Sequence, residues 1–183
     1  MSIILVACLD MNFGIGDDKG NLLFDLPKDM EHFKSITTGK TVVMGRKTWD
    51  SLPKKPLPKR KNFILTKDES FKAEGNAKVV NSIEEVLEMS KTKDVYIIGG
   101  AEIYNQFMPH ADKMILTHVH AVNFSGRVFF PDYDMQEWLP VGKFTKHEAD
   151  EKHLHSFTFA TYERAKPKLQ VIDMKQQDNT SNE

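Results

Sequence analysis

Asp29 stands where a carboxylate is out of place. In the stretch FDLPKDMEHFK, Phe24 to Lys34, the helical period of about 100° per residue puts Leu26, Met30, Phe33, Ile36 and Thr37 on one arc. Lys28, Glu31, His32, Lys34 and Ser35 fall on the other, and Asp29 projects inside the apolar arc, between Ile36 and Phe33. One explanation is positional. Pro27 suits a first helical turn, where its missing N–H is not needed, and the helix dipole favours an acidic side chain there. The chemical explanation is that the carboxylate faces inward because a ligand is its partner.

Three other stretches have residue types that could do chemistry. FGIGDDKGN, residues 13–21, spaces its glycines as G-x-G-x-x-x-G. No helix start follows to receive a pyrophosphate, and Asp17 and Asp18 would repel one, so the stretch reads as a flexible lid over a site. In VYIIGGAEIYNQF, Gly99 and Gly100 would let backbone N–H groups approach a phosphate at a helix start. VVMGRKTW repeats the arrangement, with Gly45 at a strand end and Arg46, Lys47 and Thr48 opening the next helix. Two such junctions at the carboxyl ends of parallel strands suggest a dinucleotide. KKPLPKRKN holds five basic residues between Lys54 and Lys61. It reads either as a solvated charged loop or as the site of a carboxylate clamp formed by Arg60.

The elements that must position these residues alternate. IILVACL is a buried first strand with Cys8 as a small core residue, followed by the Pro27 helix, TVVMG, the short helix KTWDSL, NFILT, AKVV, a helix opening at SIEEVLEMS, VYII and the AEIYNQFM helix. Ser82 and Glu85 form an S-x-x-E capping box. KMILTHVH is a further strand, and LHSFTFATYE with WLPVGKF can pair as an antiparallel edge. This order implies an α/β domain over residues 1–165 with a mainly parallel sheet. Residues 166–183 read as a polar tail with too little to bury.

The whole chain of 183 residues, 40% hydrophobic and with a net charge of −1, fits one domain without the electrostatic footprint of a nucleic-acid binder. A single cysteine excludes an internal disulfide framework and favours the cytoplasm. No Cys/His cluster has zinc-ligand spacing, and no stretch has membrane-spanning length. No metal and no membrane partner is expected.

LPKDMEHFK, VVMGRKTWDSLPKKPLPKRKN, VYIIGGAEIYNQF, ILTH and FFPDYD, in this order, resemble dihydrofolate reductases from Ile3 to about Arg164. The resemblance implies a three-layer fold with a central, mostly parallel eight-stranded sheet and an antiparallel C-terminal edge strand. It also implies NADPH as cofactor and 7,8-dihydrofolate as substrate, and the chain is expected to act as a monomer. Asp29 matches the pterin-binding and catalytic carboxylate, Thr117 its supporting threonine, Phe33 the aromatic that packs on the substrate, and Arg60 the arginine that holds the glutamate carboxylate. Around the substrate the resemblance also places Val6, Ala7, Met30, Leu52, Leu57, Ile98 and Tyr104. Toward the cofactor it places Gly45, Arg46, Lys47 and Thr48 at one phosphate junction, and Gly99, Gly100, Ala101, Glu102 and Ile103 at the other. Thr66 and Lys67 fall near the adenosine phosphate, with no acidic residue placed to hold a 2′-hydroxyl in its stead, and Ala7, Ile15 and Leu65 also fall on the cofactor side. It implies a cis Gly99–Gly100 peptide. Leu23 and Phe24 replace the family's usual Pro-Trp, Glu102 stands where some members have arginine, and Arg127 replaces an acidic residue. Two other readings remain: a same-fold reductase of riboflavin synthesis, and a non-catalytic NADPH-binding protein.

Overall fold

The computed structural model describes residues 1–165, so the tail read at 166–183 lies outside the described residues. In chain order the elements are β1 (Ile3–Leu9), β2 (Gly14–Gly16), α1 (Pro27–Thr37), β3 (Thr41–Gly45), α2 (Arg46–Ser51), β4 (Lys61–Leu65), β5 (Lys78–Val80), α3 (Ile83–Ser90), β6 (Val95–Ile97), α4 (Ala101–Phe107), a 3₁₀ turn at Met108–His110, β7 (Lys113–Val119), β8 (Val128–Phe129), β9 (Trp138–His147) and β10 (Phe157–Arg164). Eight of the strands form one sheet in the order β5-β4-β3-β6-β1-β7-β10-β9. The pairs from β5 to β7 are parallel, and β10 runs antiparallel to both β7 and β9. The antiparallel strand thus lies one place in from the edge, which β9 closes.

The central strands are covered on both faces and so read as unbroken apolar runs, as TVVMG does, every residue of it buried. Period-two alternation sorts β1 between two cores. Ile3 and Leu5 join Phe107, Leu116 and Trp138 on one side, while Ile4 and Val6 join Met44, Trp49 and Ile64 on the other. Exposed β9 is unsuited to pairing with another chain, since Pro140, Lys143 and Lys146 lie along it.

Two expectations need correction. The glycine-rich stretch is not all loop: Gly14–Gly16 is β2, and it pairs with β8 as a separate two-stranded sheet. The covered face of α1 is also turned from the one projected. Met30 is 49% exposed, whereas His32 is half-buried with its ring centroid 4.1 Å from that of Phe159. β10 reaches over the flank of α1 and covers the His32 side. A helical projection cannot foresee this, because it contains only the helix.

Candidate active site

Asp29 is the third residue of α1 and Thr117 lies on β7, opposite Cys8 of β1. The Thr117 hydroxyl donates to Asp29 Oδ1 at 2.6 Å. Burial pushes the Asp29 carboxyl above its ordinary value, and the contacts with Thr117, His32 and Cys8 only partly offset this. A desolvated carboxylate with one oxygen held by a hydroxyl keeps Oδ2 for other donors.

One helical turn on from Asp29, Phe33 packs against the core cluster that contains Val6, Met44 and Trp49, as do Leu52, Leu57 and Ile98. The Arg60 guanidinium lies 5.6 Å from the Phe33 ring centroid, a cation–π distance. Its buried Nε has no protein partner, and burial lowers its hold on the proton. An unpartnered buried donor on a cation fits an anionic ligand group. Asp29, Phe33 and Arg60 therefore present an acceptor, an aromatic face and a cation in succession. Buried Asn62 fastens the Arg60 loop by accepting from Leu57 N–H at 2.9 Å and donating to Leu57 O at 2.9 Å and Arg60 O at 3.0 Å. No motif flagged it, and its only sequence signal is a polar residue inside an apolar strand.

The two glycine junctions meet. Gly45 N–H donates to Gly99 O at 2.8 Å. The Gly99–Gly100 peptide is cis, as is Lys55–Pro56, and Gly99 has φ +118°. A Cβ on Gly45 would come within 2.8 Å of Ile103 Cγ1, and one on Gly100 within 3.3 Å of Thr48 Oγ1. Ile103 and Thr48 thus pack against the two glycines too closely for a side chain at either, and neither α2 nor α4 has a side-chain cap. Ala101 and Glu102 open α4, and buried Tyr104 donates from its hydroxyl to Val6 O at 2.6 Å.

At the start of α2 and the end of β4, Arg46, Lys47 and Lys67 are exposed, Thr48 and Thr66 half-buried and Leu65 buried. Two acidic groups stand beside Arg46. Asp68 pairs with Arg46 Nη1 at 2.8 Å, and Asp50 stands 3.7 Å from Arg46 Nε. Arg46 also lies over Phe71, 4.9 Å from its ring centroid. Asp68 is two residues beyond Thr66, whose Oγ1 accepts from Asp68 N–H at 3.2 Å.

Buried Asp10, another residue the sequence reading missed, ties the loops beside the site together. Its carboxylate accepts from the N–H groups of Asn12 at 2.8 Å, Gly14 at 2.8 Å and Asn123 at 2.9 Å. Asn123 Nδ2 in turn donates to Leu23 O at 2.7 Å, and Phe24 meets the edge of His155 with centroids 5.5 Å apart. Arg127 folds back onto the carbonyls of Phe124 and Gly126. Ile15, the middle residue of β2, is half-buried, as is Ala7 in β1.

The family model described as dihydrofolate reductase matches residues 2–164. A dihydrofolate reductase of Bacillus subtilis is 36% identical over 163 residues, covering 88% of this chain and 94% of the relative. A type 3 dihydrofolate reductase of Salmonella typhimurium is 38% identical over 166 residues, 90% of this chain and 99% of the relative. A solved structure of the Enterococcus faecalis dihydrofolate reductase, described as complexed with NADP(H) and RAB-propyl, superposes with a TM-score of 0.83 at 29% identity, covering 90% of this chain and 97% of that one.

Proposed function

Because the chain belongs to the dihydrofolate reductase family, we propose that it reduces 7,8-dihydrofolate to 5,6,7,8-tetrahydrofolate with NADPH, supporting one-carbon metabolism. The observation that carries this reading is the buried Asp29 carboxyl, held at 2.6 Å by Thr117 and followed along α1 by Phe33 with Arg60 above it. A pterin presents a 2-amino group and a neighbouring ring N–H, and Asp29 accepts both. Thr117 fixes the carboxylate, Phe33 packs on the ring system, and Arg60 takes a carboxylate of the glutamyl tail.

The residues present fit NADPH. The glycine starts of α2 and α4 carry no capping side chain and so leave backbone N–H groups for a pyrophosphate, and Arg46, Thr48, Thr66 and Lys67 offer donors for a 2′-phosphate. When bound, NADPH supplies the hydride that goes to pterin C6. The matching proton goes to N5. Asp29, whose buried carboxyl holds protons above the ordinary carboxylate range, favours the protonatable form of the ring.

The deciding experiment is an absorbance assay at 340 nm. Loss of absorbance with dihydrofolate and NADPH together, and a much slower loss with NADH, supports the reading. Turnover only of a riboflavin-type pyrimidine substrate, or binding of NADPH without turnover, sinks it. The reading further takes the protein as a cytoplasmic monomer acting on folates with one or more glutamyl groups. Sedimentation of the purified chain tests the monomer, a comparison of mono- and polyglutamyl substrates the folate, and cell fractionation the location.

A further inference from the structure

The N-cap of α1, Leu26, offers no capping side chain, and Pro27 has no N–H, so Lys28 is the first donor inside the helix. That donor is met from 125 residues away, where Lys28 N–H donates to His153 Nε2 at 3.2 Å. His153 is 4% exposed and lies in the turn between β9 and β10, which is closed by Asp150 N–H donating to His153 O at 2.9 Å. Its ring packs against both His147 and Phe157, with centroid distances of 4.7 and 5.4 Å, and those two rings stack on each other at 4.8 Å.

Both ring nitrogens are committed. Nε2 accepts a backbone N–H and so carries no proton, which places the proton on Nδ1. Nδ1 then donates to Asp150 Oδ1 at 2.7 Å. This hydrogen bond and the one from Lys152 N–H hold the Asp150 carboxyl below its ordinary value and keep it an acceptor. His147, Asp150 and His153 also offer ligand atoms within 4.8 Å of one another, a composition that suits a transition metal. The hydrogen bonds argue against that use. Neutral imidazole has one lone pair, and that of His153 is taken by Lys28, so only His147 and Asp150 remain as ligands.

We infer that His153, oriented by Asp150, is a positioning residue for the reaction: it caps α1 from outside and fixes the peptide that presents Asp29. The inference rests on the reading of Asp29 as the pterin-binding carboxylate. Asp29 directly follows Lys28, so it is placed by two tethers, the imidazole on the backbone behind it and the Thr117 hydroxyl on its carboxylate. A displacement of the first turn moves the acceptor for the pterin while the glycine junctions stay where they are.

Nitrogen-15 NMR of histidine-labelled wild type, with and without excess zinc, tests the cap directly. The expected spectrum has His153 protonated on Nδ1 and bare on Nε2, unchanged by zinc. The opposite tautomer, or a zinc-induced shift of His153, overturns the cap. Kinetics test the positioning. His153→Leu should raise KM for dihydrofolate and lower kcat, together reducing kcat/KM about five- to tenfold, with the Kd for NADPH changed less than about twofold. His153→Gln, whose amide oxygen can accept from Lys28, should restore most of the loss. Asp150→Asn alters an exposed side chain and so tests the idea even if His153→Leu fails to fold, with an expected two- to threefold loss in the same parameter, roughly. A lower Tm with unchanged kcat and KM, or equal losses for NADPH and dihydrofolate, would overturn the positioning role. A wild type without turnover sinks the reading of the reaction and the positioning role with it, while the tautomer still decides the cap.

Discussion

Helices α1 and α3 begin closed, whereas α2 and α4 begin open. At α3, Ser82 accepts from Glu85 N–H at 3.3 Å and Glu85 accepts from Ser82 N–H at 3.2 Å, a complete capping box. At α1 the closing group is His153. The N-caps of α2 and α4 are Gly45 and Gly100, which have no side chain with which to cap. The difference follows what each helix presents. A helix that carries a reactive side chain or only supports the sheet is best satisfied within the protein. One whose first N–H groups are to serve a ligand must leave them without a capping side chain, and glycine has none to offer.

The largest expected effect lies at the closed start that carries chemistry. Asp29→Asn keeps the shape but offers one acceptor oxygen and no acid, so turnover at neutral pH should fall by at least about 10²-fold while NADPH binding hardly changes. Its rate should climb as pH falls, since it depends on substrate already protonated by solvent. Stability should move the other way. Burial raises the folded-state pKa of Asp29, so its contribution is fully present below the unfolded carboxylate pKa and is lost as pH rises through the folded value. The Asn variant without ligand should therefore melt above wild type at pH 7, a gain that disappears in acid. A near wild-type rate with an unaltered pH profile would leave Asp29 as a mere helix-start charge.

Filling an open start comes next. Gly45→Ala puts a methyl 2.8 Å from Ile103 Cγ1, which should cost about 1–3 kcal/mol of stability. It should also weaken NADPH about tenfold or more in a fluorescence titration, since the N–H groups at issue move. Unchanged NADPH affinity would break the contrast between the two kinds of start. Arg46→Ala should weaken NADPH more than NADH, but nearer tenfold than the 150-fold upper end for a charge-assisted contact, because Asp68 already holds the guanidinium at 2.8 Å. Asp68→Asn should tighten NADPH, and if it does not, Arg46 is no phosphate ligand. The smallest effect belongs to the closed start without chemistry. Ser82→Ala should cost about 1 kcal/mol in denaturant unfolding with kcat and KM unchanged.

Local signals were legible wherever one element carries them alone. IILVACL and TVVMG became β1 and β3 at the residues read, and Ser82 with Glu85 made the capping box. The Asp29–Thr117 pair and the cis Gly99–Gly100 peptide came from the family resemblance rather than from periodicity. What escaped the sequence depends on partners distant along the chain. β2 and β8 have three and two residues, too few to show alternation, and exist because they pair. Asp10 looks like a loop residue until Asn123 is brought to it, and His32 looks solvent-facing until Phe159 covers it. Arg46 reads as a free cation until the chain after β4 returns Asp68 to it.

The place of β10 in the sheet bears on how the protein is made. Phe157–Arg164, the last strand described, is inserted between β7 and β9, and its Phe159 lies on the helix that bears Asp29. A nascent chain still holding these residues in the ribosomal tunnel has β7 unpaired on one side, His32 uncovered and β9 without its sheet. Contacts of such long sequence separation form late and slowly. Pulse-labelled translation intermediates ending near residue 150 should therefore remain sensitive to protease and unable to retain an immobilised antifolate, with both properties reversing once the final strand emerges.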